Sequence, residues 1–273
     1  MVLQALSLGC EVDVWRPQNG VVHSAFYHAA NLLIDGEMWT VLGGERHDAP
    51  FGIRLAPHGC PQRFQAQPGD DVRIRAGYVS VGRMIVDCRT ASRWAPTRWV
   101  QPASGLAIRL SIIEKVARPR AWAESATVAA DVTETLGRSG SHLADAVRRT
   151  AGRGPGLTPA GDDVLAGIFA LFTSGAAGSE GVRATARLTD ALTPVLPTIP
   201  DVSRHLLGQA ARGLPGRALH DFGQALIEGA PQNILINFLE RLLDTGFTSG
   251  ADACMGLTAA CRFSFLNAER LAA

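Results

Sequence analysis

Two rhythms of apolar and polar residues divide the chain. In the front part the apolar residues come in short runs. Residues 21–34 mix β-branched, aromatic and small side chains, and the run 39–42 is apolar and is closed by Gly43 and Gly44. Residues 51–56 alternate and then meet Pro57, Pro68 and Gly69 open a turn, and residues 72–76 alternate with a period of two. Residues 78–81 and 84–87 complete the set. A period of two sends successive side chains to opposite faces of a strand. Short strands separated by Gly and Pro turns predict a small β-barrel or sandwich. Arg73 and Arg75 then share one solvated face. Residues 1–20 carry a short apolar segment whose type the pattern leaves open.

The segment 94–99 reads as the crossover out of the β part. Beyond it the chain is rich in alanine and leucine with helical spacing. The pattern predicts a helix over 106–117, ended by Pro119, and further helices near 122–136, 141–150, 159–174, 181–193, 200–213, 218–228, 231–244 and 250–262. Ser141 stands before one of these, Gly213 after another, and Pro231 opens a third, as helix boundaries favour. The expected fold is α+β: a β-rich domain over 1–100 and an all-α bundle over 101–273.

Composition narrows the function classes. The formal net charge is +1, which gives no general electrostatic case for nucleic acid or for an anionic membrane surface. No run of about 18 apolar residues occurs, so no transmembrane helix is expected. The five cysteines, Cys10, Cys60, Cys88, Cys254 and Cys261, have no C-x-x-C spacing, so reduced thiols in the cytoplasm are expected rather than a disulfide framework or structural zinc. Lys115 is the only lysine, and any Schiff-base chemistry would have to run through it.

The densest chemical signal lies in the helical part, at 152–167. This run holds five glycines, two prolines, Thr158 and the pair Asp162 and Asp163. Thr158 followed by Pro159 reads as an N-cap and first helical residue. The two carboxylates then fall in the first turn, where the helix dipole favours them. A glycine-rich loop feeding a helix start presents backbone N–H groups to an anion, and the Asp pair could hold a divalent cation such as Mg²⁺ beside it. The loop has neither the Walker nor the Rossmann pattern. A weaker echo follows at 246–256, which pairs Thr248 with Thr158 and Asp252 with Asp162. Consecutive residues on a helix point about 100° apart, so one Asp can face a site while its neighbour pairs elsewhere.

Other polar residues carry less. None of the histidines has a tight metal spacing such as H-E-x-x-H; His58 and Cys60 form an isolated H-x-C. His23 and His28 fall on one predicted strand, and Asn31 is a polar residue in an apolar stretch. Ser203 reads as an N-cap, with Arg204 and Arg212 as anion clamps of low specificity. No G-x-S-x-G elbow is present.

The run GLTPAGDDVLAG at 156–167, with GFTSGAD at 246–252, resembles the signature of a bacterial family that includes the third subunit of the oxamate carbamoyltransferase of anaerobic allantoin breakdown. Most of the chain falls under this resemblance. The usual motif has Ser where this chain has Ala160. The resemblance implies a cytoplasmic transferase complex of purine degradation, with an FdrA-like protein and a second companion subunit as partners. The expected ligand is a small anion: carbamoyl phosphate, oxamate or oxalurate. The site residues expected from the loop and its echo are Gly154, Gly156, Thr158, Gly161, Thr248 and Asp252 for binding, with Asp162 and Asp163 for catalysis or metal. The alternative expectations are a non-catalytic interaction subunit that docks the FdrA-like partner and a stand-alone small-molecule enzyme.

Overall fold

The computed structural model describes residues 2–57, 66–138, 141–154 and 158–266. Gly156, His58 and Cys60 lie outside these. The chain divides into two compact units, Met1–Pro96 and Thr97–Ala273.

Among the described residues the first unit is a closed eight-stranded barrel with one extra strand. In chain order the strands are β1 (Val2–Gly9), β2 (Gln18–Ala25), β3 (Ala29–Ile34), β4 (Glu37–Leu42), β5 (Gly52–Leu55), β6 (Asp71–Arg75), β7 (Tyr78–Val81) and β8 (Met84–Asp87). They are joined in the order β5-β4-β3-β2-β6-β7-β8-β1, and the β1–β5 pairing closes the ring. One edge of β1 pairs with β5, antiparallel, through Ala5–Leu55, Ser7–Arg54 and Leu8–Ile53. Its other edge is shared between β8, at Val2 to Gln4, and β9 (Ser92–Trp94), at Ser7 to Gly9. The alternation read from the sequence selects the inward face. Leu32, Ile34, Val41, Ile53, Leu55, Val72, Ile74, Val79, Val81 and Val86 are all buried, and Arg73 and Arg75 are exposed between them.

Two sequence expectations change here. The open segment 1–20 supplies β1 and the start of β2, so it is the seam strand of the barrel. The stretch 21–34 is not one strand but the β2–β3 hairpin, with the Phe26 N–H donating to the Ala29 carbonyl across the turn. His23 therefore lies on β2 and His28 in the turn. The reason is that this turn uses Phe26, Tyr27 and His28 rather than glycine or proline. By contrast, Asp35 and Gly36 both have positive φ between β3 and β4, as a tight two-residue hairpin requires.

The second unit is helical: α1 (Leu106–Ala117), α2 (Ser125–Leu136), α3 (His142–Thr150), α4 (Ala160–Ser174), α5 (Gly178–Leu192), α6 (Asp201–Ala211), α7 (Arg217–Glu228), α8 (Gln232–Leu243) and α9 (Ser249–Cys261). Among the described residues no helix is long and apolar enough to cross a membrane. α4 and α9 are buried along nearly their whole length, as a helix apolar on all sides must be. They form the centre of this unit, and the other helices wrap them.

The two central helices pack unusually close. A β-carbon on Gly167 would stand 1.9 Å from the Ala253 carbonyl oxygen, and one on Gly256 would stand 2.0 Å from the Val164 carbonyl oxygen. The contact is reciprocal, and both helices run the same way. At their starts the relation repeats: Gly161 lies against the Thr150 carbonyl at the end of α3, and Gly250 against the Leu242 carbonyl at the end of α8. The pairs α3–α4 and α8–α9 are thus two versions of one helix–loop–helix corner.

Candidate functional site at two adjacent helix starts

The reciprocal glycine contacts bring the starts of α4 and α9 side by side. The hydroxyl oxygens of Thr158 and Ser249 are 3.2 Å apart. Two parallel helices place two positive dipole ends together, each equivalent to about half a charge. Asp162, Asp163 and Asp252 lie in these first turns and offset that charge.

The three carboxylates point in different directions. Asp162 is buried, and its Oδ1 accepts from the Gly152 N–H at 2.7 Å, which ties the glycine loop back to α4. Burial raises its pKa, opposed by that N–H and by the buried Ser203 hydroxyl, which faces the same carboxyl. Asp252 is fully buried. Its Oδ1 accepts from the Trp122 N–H at 2.8 Å and the Ser125 hydroxyl at 2.5 Å, so it ties the segment leading into α2 to the start of α9. The second oxygens of Asp162 and Asp252 have no hydrogen-bond partner among the described residues.

Asp163 differs from both. It keeps part of its surface accessible. Its Oδ2 accepts from the Thr158 hydroxyl at 3.3 Å, and the Ser249 hydroxyl faces the same carboxyl. Burial pushes its pKa up to about 7. The Ser249 and Thr158 hydroxyls oppose the shift, while the Asp252 and Asp162 charges add to it. A carboxyl with this pKa exists in both protonation states near neutral pH and can give or take a proton.

Several expected roles change. The N-cap position of α4 is Pro159, not Thr158, and no side-chain cap bond is made there among the described residues; the Thr158 hydroxyl turns to Asp163 and Ser249 instead. Thr248 does occupy the N-cap position of α9, but its hydroxyl makes no cap bond. Several of the backbone donors expected to be open are engaged. Gly161 N–H donates to the Arg153 carbonyl, Asp162 and Asp163 N–H to Pro159, Gly250 N–H to Thr245, and Asp252 N–H to Thr248. Gly154, at φ +100, serves packing: a β-carbon there would meet Ala160 at 2.9 Å. Among the described residues no three His, Cys, Asp or Glu side chains gather as a metal site. Ser203 lies inside α6, which starts at Asp201, and is no N-cap.

The expected match of Asp162 with Asp252 is off by one residue. The same spacing separates Gly161 from Gly250, Asp163 from Asp252 and Gly167 from Gly256. Asp163 and Asp252 are therefore the equivalent carboxylates. Sequence reasoning aligned the threonines, whose positions differ by one residue, and so passed over Ser249. Aligning the glycines would have found it.

An aromatic residue, Trp122, is tied to the start of α9 and has a cation over its ring. The Arg153 guanidinium lies 5.8 Å from the centre of the Trp122 ring and pairs with Glu124 at 2.8 Å. Gly154 packs within 3.4 Å of the same indole by the position of its absent β-carbon. The Trp122 N–H is the one that Asp252 accepts, so this cluster is anchored to the start of α9.

Neither the curated proteins nor the solved structures gave a match. Two family models do match. Residues 4–93, the barrel, match the AllH family N-terminal domain. Residues 150–261 match the oxamate carbamoyltransferase subunit AllH, a span that runs from the last residue of α3 to the last residue of α9 and so contains both helix starts. Together they cover most of the chain, which belongs to the AllH family of oxamate carbamoyltransferase subunits.

Proposed function

We propose that this subunit binds a small anionic substrate of the carbamoyltransferase reaction at the joined starts of α4 and α9. The candidates are oxamate, oxalurate and carbamoyl phosphate. Thr158 and Ser249 supply hydroxyl contacts, and Asp163 handles a proton. The observation that carries this reading is the Asp163 carboxyl: partly accessible, held between two helix starts and two hydroxyls, and poised near pH 7. Protonated, it donates a hydrogen bond to an anion. In transfer from oxalurate to phosphate, a phosphate oxygen bonds to the carbamoyl carbon and the bond from that carbon to nitrogen breaks. Asp163 then gives its proton to the departing oxamate nitrogen, and it takes one back in the reverse direction. Asp162 and Asp252 hold the loop and α2 in place rather than touching substrate.

The test is calorimetry of the full-length chain with oxamate and with inorganic phosphate, alongside turnover in the complex reconstituted with its companion subunits. Asp163→Ala should lose about 100-fold or more in turnover, the scale of a proton-transfer group. Unchanged turnover removes Asp163 from the mechanism. A second reading, that this end of the unit docks an FdrA-like partner without binding substrate, is favoured by Phe247, which stands 99% exposed just before α9. Failure of the chain to bind either anion, together with loss of assembly in Phe247→Ala, would select it.

A further inference from the structure

We infer that Arg153 recognises the carboxylate of the substrate, and that Glu124 occupies this seat until substrate displaces it. This rests on the anion-binding reading above and names the residue that holds the carboxylate shared by oxamate and oxalurate.

Arg153 is the cation built into the glycine loop itself. Its carbonyl accepts from the Gly161 N–H at 2.8 Å, so its backbone is fixed to the first turn of α4, two residues before Asp163. Its guanidinium lies over the Trp122 ring and is half exposed. Trp122 is itself held from below by Asp252, the counterpart of Asp163. Arg153 is therefore joined to the α4 start through its own carbonyl, and its head lies over the residue whose backbone N–H Asp252 accepts. The planar guanidinium fork suits a carboxylate, which it can bind through two parallel hydrogen bonds. Such a group already sits there: the Glu124 carboxylate, 2.8 Å from Arg153 Nη2 and itself half exposed. An ion pair this open to water contributes little to stability and is readily exchanged.

Two variants move in opposite directions. Arg153→Gln should weaken oxamate binding by the full-length chain at least about tenfold, while inorganic phosphate loses less. Glu124→Gln removes the competing carboxylate and should tighten oxamate binding about threefold to tenfold. A gain of affinity cannot come from misfolding, and equal melting temperatures of the two variants exclude a folding defect in the first. If wild type binds oxamate and both variants bind it equally well, the role of Arg153 is overturned while the anion site stands. If wild type binds neither oxamate nor phosphate, the underlying reading fails and the assignment falls with it.

Discussion

Thr158 and Ser249 stand 91 positions apart in the chain, yet their hydroxyl oxygens lie 3.2 Å from each other. The distance is set by two glycines further along the same helices. Gly167 and Gly256 let α4 and α9 touch backbone to backbone, and the helix starts are carried together as a result. The site is therefore only as well formed as the glycine contact beneath it.

Replacing Gly167 or Gly256 by alanine should be severely destabilising. Each new β-carbon would stand at 1.9 or 2.0 Å from a backbone carbonyl oxygen, which no side-chain rotation relieves. Overpacking of a core costs about 1–3 kcal/mol and sometimes more, and these contacts fall at the upper end. A fall of about 6–12 °C in melting temperature follows for a unit of this size. Thermal unfolding followed by circular dichroism is the measurement; a shift below about 2 °C would contradict the close contact.

Asp163 should make stability depend on pH. Its folded pKa, about 7, lies above the unfolded value of about 3.9. The folded state then binds the proton more tightly. The contribution is fully present below about pH 4 and is lost as pH rises through 7. Asp163→Asn copies the neutral form and should melt above wild type at pH 8, with the gap closing toward pH 4. Anion affinity should fall in wild type over the same interval and stay flat in the variant. Parallel melting curves across pH 4–8 would show that Asp163 does not titrate there.

Asp252 is expected to be a structural residue. Its removal leaves the Trp122 N–H and the buried Ser125 hydroxyl without their acceptor. Unsatisfied buried groups cost about 1–3 kcal/mol each. Asp252→Ala should therefore lower the melting temperature by about 4–24 °C, and Asp252→Asn, which keeps one acceptor oxygen, by less. Faster amide exchange at the start of α2 should accompany both.

Cys254 and Cys261 are fully buried on α9, and burial drives both thiols far above their ordinary pKa. Cys88 in the barrel is pushed up to about 12 by the same cause. Since the thiolate is the reactive form, all three should resist a thiol reagent in the folded chain and react only on unfolding. Rapid labelling of Cys254 or Cys261 with retained helicity would place α9 elsewhere.

Much of this architecture was legible in the residue pattern. The alternation at Val72, Ile74, Val79 and Val81 marks the barrel interior, and the apolar run after Asp163 marks a helix buried on all sides. What was not legible has physical causes. β1 pairs on both edges and changes face at a bulge between Ala5 and Ser7, so its alternation breaks midway. The β2–β3 turn lacks turn residues. Glycine density suggested open backbone donors, but a glycine serves equally well where two backbones meet, and Gly161 and Gly250 are of that second kind. Ser249 was hidden because the two corners are related by their glycines, not by their threonines.

The pairing of β1 sets a timetable for synthesis. This strand leaves the ribosome early, but its partners span residues 52–55, 84–87 and 92–94. At about 5–20 residues per second, roughly 4–17 s pass before β8 has been made. During that interval Val2 and Leu6 belong to an unpaired apolar edge, the form in which nascent strands meet chaperones or each other. Slowing elongation before residue 84 should lower the soluble yield of the barrel far more than slowing it within α5.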